Sequence, residues 1–389
     1  MKYDFTSIID RNGKDAIAMD VEAGVRIGFL CGDGVKIREG FDVIPMWVAD
    51  MNFPTVPTIP EAIIERAKHP AYGYFNPTEE YFQSIITWHE KRNGVTGLTK
   101  ECIGYENGVL GGVISALNVI CSKGDKVLLH SPTYIGFTNS MTNNGFDMVL
   151  SPLKKDENDV WRMDLEDVEE KLRTQNIHAA VLCSPHNPTG RVWERWELEK
   201  AMELFEKYDV KVVSDEIWSD LILNGHKHIP AQMVNEWARQ NTVAVYAPSK
   251  TFNLAGMKTS NIVIHNKELQ AAWKELIGGK LSMNGAGTLG LTAMIAAYNE
   301  GEEWLEQLKE YLDGNFANID DILKEHLPKA HMVPSEGTYL AWIDFNGYVD
   351  GDAEKLEEIM QKKARVALDE GYIFGDAGRG FERINIATP

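Results

Sequence analysis

Short apolar runs alternate with longer amphipathic stretches through the middle of the chain, the pattern left when helices cover both faces of a mostly parallel sheet. Strands rich in β-branched and aliphatic residues are predicted at 126–130, 179–183, 210–214, 242–246 and 261–264. Between them, residues 194–208 read as a helix in which Trp196, Leu198, Met202, Leu204 and Phe205 approximate one stripe. After a Gly-rich loop at 278–287 the pattern changes to a long helical stretch over 289–327, broken near Asn299-Glu300-Gly301 and followed by a turn at 334–337. A strand at 338–343, a helix at 353–361 and a terminal strand at 383–386 follow. The expected fold is α/β. A mostly parallel sheet sandwiched by helices occupies 45–285, and both chain termini, 1–44 plus 286–389, form a smaller α+β domain.

Composition narrows the function classes. A chain of 389 residues with 44% hydrophobic residues can bury a large core. The formal charge of -19, without any Lys/Arg-rich stretch, argues against nucleic acid or an anionic membrane surface, because both depend on clustered cations. Cys31, Cys102, Cys121 and Cys183 are scattered and form no Cys-x-x-Cys, so neither a disulfide framework nor a thiolate metal site is expected. The first fifteen residues lack the apolar run of a signal peptide and no apolar stretch is long enough to span a bilayer, so the expected location is cytoplasmic.

In open α/β sheets ligands bind beyond the carboxyl ends of the strands. Four strands here deliver a polar or aromatic residue to that rim: Tyr134, Asn187, Asp215 and Lys250. The set suits a pyridinium phosphate. A desolvated lysine near other cations is neutral often enough to form a Schiff base with an aldehyde. An aspartate facing the ring nitrogen keeps it protonated, an asparagine donates to the ring's phenolate oxygen, and an aromatic stacks on its face. Gly108, Val109 and Leu110 lie in a Gly-rich turn opening a helix, whose free N–H groups would hold the phosphate with help from Ser249 and Lys258. Each residue also has a plainer reading. The glycines could serve helix packing, Asp215 a helix cap, Tyr134 and Trp47 the core, and Arg383 a surface ion pair. His226-Lys227-His228 reads as a solvated loop, and Cys183 with His186 lacks the third group of a nucleophile–base set.

The strings Pro45-Met46-Trp47-Val48-Ala49-Asp50-Met51, Ser184-Pro185-His186-Asn187-Pro188-Thr189-Gly190-Arg191, Ser214-Asp215-Glu216-Ile217 and Ser249-Lys250-Thr251-Phe252-Asn253 weigh against those readings. With Gly337 to Trp342 and Arg383 to Ala387 they run in order over nearly the whole chain. They resemble the fold type I pyridoxal 5′-phosphate enzymes, and within them the cystathionine β-lyase branch of the class I/II aminotransferase superfamily. The resemblance implies that Lys250 is the Schiff-base lysine and proton-transfer base, Asp215 the pyridine-nitrogen partner, Asn187 the O3′ ligand and Tyr134 the stacking aromatic. It implies that Arg383 holds the substrate's α-carboxylate, with Ala49, Asn187 and Tyr339 beside it, and that Tyr74 reaches a neighbour's phosphate in a homodimer.

There are departures. Trp218 stands where many such enzymes place Tyr and this branch often has His, leaving the O3′ contact to Asn187 or to the indole. Ala247 replaces a frequent phosphate-binding serine, and relatives usually continue beyond Pro389. The resemblance implies α,β-elimination from cystathionine or a cysteine-type thioether, with transamination as the alternative. A regulatory role by protein contact would predict a damaged catalytic set, whereas Lys250, Asp215, Asn187 and Arg383 are all present.

Overall fold

The β-branched runs pair into one seven-stranded sheet in the computed structural model of the chain, which describes residues 2–19, 44–283 and 285–389. In chain order the strands are β1 (Ile103–Glu106), β2 (Lys126–Ser131), β3 (Asp147–Pro152), β4 (Ile177–Cys183), β5 (Lys211–Asp215), β6 (Thr242–Tyr246) and β7 (Ser260–Ile264). Across the sheet they lie in the order β1-β7-β6-β5-β4-β2-β3. Strand β7 is antiparallel to both neighbours and every other adjacent pair is parallel. Alternate side chains serve opposite cores, as a period of two requires. Leu128, Ala180 and Val212 pack with Leu198, Met202 and Phe205 on one face, while Val127, Ala179 and Val213 pack with Val113 and Leu117 on the other.

The five strands predicted from sequence lie within two residues of those observed. Strands β1 and β3 are not among those expected, because Glu106 in one and Asp147 and Ser151 in the other keep them from reading as continuous apolar runs. The helix between β4 and β5 spans Arg195–Lys207, and its start is fixed by the Glu197 carboxylate accepting the N–H of Glu194 at 3.0 Å. Trp196 lies on its exposed side rather than in the stripe. The stretch expected to be a Gly-rich loop instead begins with a wide π-helical turn, Glu275–Lys280, continuing helix Lys267–Lys274.

The long helical stretch is two helices, Thr288–Glu300 and Glu302–His326. A Cβ at Gly301 would stand 2.3 Å from Phe252 and 2.5 Å from the Ala297 carbonyl, so only glycine fits the break. Beyond it an antiparallel sheet contains β8 (His331–Met332), β9 (Leu340–Asp344), β10 (Asp369–Glu370) and β11 (Phe381–Asn385), in the order β8-β9-β11-β10. Strand β9 starts later than predicted because Thr338 adopts a φ of 72°. The helix predicted at 353–361 is Ala353–Glu358 followed by a wider turn, Ile359–Ala364. Phe5 packs on Phe53, Trp304 and Tyr311 with ring centroids 5.2, 5.5 and 5.7 Å away. Most of the N-terminal share of the expected small domain, with Cys31, lies outside the described residues. No helix among those described is long and apolar enough to cross a membrane.

Helix Val109–Ile120 packs on one face of the central sheet, and Gly112 sets its distance from β6, since a Cβ there would stand 2.7 Å from Val245 Cγ1. Gly112→Val is expected to destabilise the protein by about 1–3 kcal/mol through overpacking. Urea unfolding checks this; an unchanged midpoint would contradict it.

Candidate active site

The carboxyl ends of β2, β4, β5 and β6 open into a cavity of about 400 Å³. Tyr134 enters it from the turn after β2, Asn187 from the loop after β4, Asp215 as the last residue of β5, and Ser249 and Lys250 from the short helix Pro248–Thr251 after β6. Gly108, Val109 and Leu110 line one end, with Lys258. Ala49 and Trp218 line the walls, and Arg383 enters from β11 of the second sheet. Two predicted site residues lie elsewhere. Tyr339 is fully buried behind the wall, where its hydroxyl donates to the Ala49 carbonyl at 2.9 Å. Tyr74 is fully exposed on the stretch between helices Thr58–Lys68 and Glu79–Asn93 and does not line this chain's cavity.

The lysine is held and kept weakly basic. Its Nζ donates to the Ala49 carbonyl at 2.6 Å and lies 5.4 Å from the centroid of the Trp218 ring. Burial lowers its pKa to about 8 and the Arg383 guanidinium adds to that, while Asp50 and Asp215 act in the opposite sense. Asp50 is itself tied to Arg11 by a two-pronged ion pair, at 2.6 and 3.0 Å. Asp215 accepts one backbone hydrogen bond, from Ile217 N–H at 3.0 Å, so the cap reading of this residue is partly true. Burial nonetheless pushes its carboxyl up to about 7, and the Ile217 N–H and Lys250 pull it back down. An aspartate so placed gains from a cation delivered into the cavity.

The end of the cavity at Gly108 is built from backbone. Gly108 caps helix Val109–Ile120 with a φ of 83° and no side-chain hydrogen bond, so the first N–H groups of the helix are not satisfied by a cap. The sequence left open whether these glycines serve binding or packing. Gly108 has the open geometry and Gly112 the packing role. An uncapped helix end, a weakly basic amine and a buried carboxylate within one cavity fit a phosphorylated pyridine aldehyde.

Arg383 is buried, and its guanidinium donates to the Asn187 Oδ1 at 3.0 Å, the Trp47 carbonyl at 3.1 Å and the Asp369 carboxylate. The Phe374 ring lies 4.9 Å from its Cζ. Asp369, also in the cavity wall, was not found from sequence. It sits in a polar run, Asp369-Glu370, without a recognisable motif. Trp47 is buried, as its core reading expects, and it also lines the cavity while its indole donates to the Ala18 carbonyl at 3.2 Å. His228 is not solvated; it is buried against Glu216 at 2.8 Å. Cys183 donates to the Pro185 carbonyl and His186 meets Thr189, so they do not form a pair.

The sequence profile described as "Aminotransferase class I and II" matches residues 42–389. The chain belongs to that family. Cystathionine β-lyase PatB of Bacillus subtilis is 37% identical over 347 residues, covering 88% of each chain. Among solved structures, the PLP-bound C-S lyase of Staphylococcus hominis superposes with a TM-score of 0.90 at 34% identity, covering 100% of this chain and 95% of that one. Cystalysin of Treponema denticola, described with a pyridoxal 5′-phosphate cofactor, gives 0.91 at 34% identity over the same shares.

In the cofactor-free protein the Lys250 amine is expected to titrate near 8, lower still in Asp215→Asn and higher in Arg383→Leu, each substitution removing one charge that acts on it. Reductive ¹³C-methylation followed by an NMR pH titration reads all three. A titration near 10.5 in the unaltered protein would contradict the account.

Proposed function

We propose that the protein is a pyridoxal 5′-phosphate-dependent C–S β-lyase acting on cystathionine or cysteine-type thioethers, releasing a thiol, pyruvate and ammonia. The observation that carries this reading is the convergence of Lys250, Asp215, an uncapped helix end and Arg383 on one cavity. The family and the lyase names of its relatives support it. When bound, the cofactor supplies an electron sink for the bonding pair left on the substrate's α-carbon.

The chain's residues do the rest. The N–H groups after Gly108, with Ser249 and Lys258, would hold the phosphate, and Asp215 would keep the ring nitrogen protonated. Tyr134 would stack on the ring and Asn187 would reach its phenolate oxygen. Trp218 would contribute its aromatic face. Arg383 would grip the substrate's α-carboxylate and so orient its Cα–H bond toward Lys250. Once its amine is free and neutral, Lys250 would take that proton. Loss of the thiolate from Cβ, followed by addition of water, balances the reaction as thiol, pyruvate and ammonium.

A second reading, transamination, uses the same residues and is favoured by the family's description. The same proposal includes a homodimer, supported by Tyr72 and Tyr74 standing out in solvent where they could reach a second copy's cavity. It also includes a cytoplasmic location and a division into 45–285 and 1–44 plus 286–389, the latter supported by the two separate sheets.

Incubation of the holoenzyme with L-cystathionine, without any keto acid, is expected to yield pyruvate. Lys250→Ala should lower that rate at least about a thousandfold, since both anchor and base are lost. Turnover that requires a keto-acid acceptor would overturn the lyase reading in favour of transamination.

A further inference from the structure

A guanidinium can take a carboxylate with two parallel bonds along either of two edges, Nη1 with Nη2 or Nε with Nη2. Nη2 belongs to both edges. In Arg383 the two Nη2 hydrogens are already engaged, one by the Trp47 carbonyl at 3.1 Å and the other by the Asp369 carboxylate. Nη1 has one partner, Asn187 Oδ1, and Nε has none. The donors left over therefore do not share an edge. The Trp47 carbonyl is fixed by the backbone, whereas the Asp369 carboxylate is carried by a rotatable side chain on the strand paired with that of Arg383, directly opposite it in register.

We infer that Asp369 is an internal competitor for the substrate's α-carboxylate, a side chain that must release Nη2 of Arg383 before a two-pronged bond can form. This rests on the reading of Arg383 as the carboxylate anchor. The cavity admits a substrate carboxylate only by exchanging one anion for another on the same nitrogen, because two carboxylates on one buried guanidinium repel each other. Asp369 thereby weakens the affinity for every amino acid by the same factor, which lowers the grip on the α-carboxylate and leaves the ranking of side chains unchanged.

Release is coupled to a proton. Burial pushes the Asp369 carboxyl up to about 6 against the pull of Arg383. The other titratable groups acting with it are Tyr134 across the cavity and Glu382 on the neighbouring strand, with Asp215 and Lys250 in the cavity walls. Protonated, Asp369 no longer forms the ion pair, so the anchor opens as pH falls through about 6 and closes as it rises.

The test uses the holoenzyme and 3-(methylthio)propanoate, a thioether carboxylate with no amino group and hence no chemistry, as a competitive inhibitor. At pH 8 its Ki is expected to fall about tenfold in Asp369→Asn, the worth of one charged hydrogen bond released. In the unaltered enzyme Ki should rise between pH 5.5 and 8, and in Asp369→Asn that rise should be flattened. Asp369→Ser serves as a second variant, and the unaltered enzyme's pH profile needs no variant at all. An unchanged or raised Ki in the variants, or a flat profile in the unaltered enzyme, overturns the competition. Arg383→Gln separates the two layers of the argument. If inhibition survives that change, Arg383 is not the anchor; if it vanishes while Asp369→Asn matches the unaltered enzyme, the anchor stands and the competitor falls.

Discussion

A lysine amine can attack an aldehyde or take a proton only when neutral, while a guanidinium grips a carboxylate only when charged, and this protein places both side chains in one cavity. The two requirements support each other. Burial, and after it the field of the Arg383 guanidinium, holds Lys250 near a pKa of 8. Asp215 and Asp50 oppose that shift and keep it moderate. Removing any one of these charges would shift Lys250. Much of the surrounding architecture acts to hold them in place.

That placement follows from the sheet. Parallel strands present their carboxyl ends on one side, so the ends of β2, β4, β5 and β6 deliver Tyr134, Asn187, Asp215 and Lys250 without any long excursion. The antiparallel strand β7 lies between β1 and β6, and helix Val109–Ile120, which follows β1, packs closely on Val245 of β6. Arg383 arrives from a different sheet, and its hydrogen bonds to Asn187 and to the Trp47 carbonyl tie the C-terminal strand to both the loop after β4 and the segment before the first long helices. The Arg383 guanidinium is thus a joint between sheets.

Much of this was legible in the sequence because buried parallel strands are continuous apolar runs and the residues after them stand out. Twelve of the fourteen expected site residues line the cavity, and the twelve include Trp218, an expected departure that packs under Lys250. What was not legible has physical reasons. Edge strands β1 and β3 carry polar positions that break the apolar pattern. Tyr339 lies next to the site in sequence logic but its side chain turns into the core. Asp369 belongs to the site only through the pairing of β10 with β11, a contact between distant positions that no local spacing announces. His228 looks like a loop histidine until Glu216 is found beside it.

The central claim is that Lys250 is the residue to which the cofactor is joined. Borohydride reduction of the holoprotein, proteolysis and peptide mass spectrometry test it most directly. The account predicts a pyridoxyl phosphate mass on the peptide containing Lys250. The same mass on Lys258 or any other lysine, or on none, would contradict it.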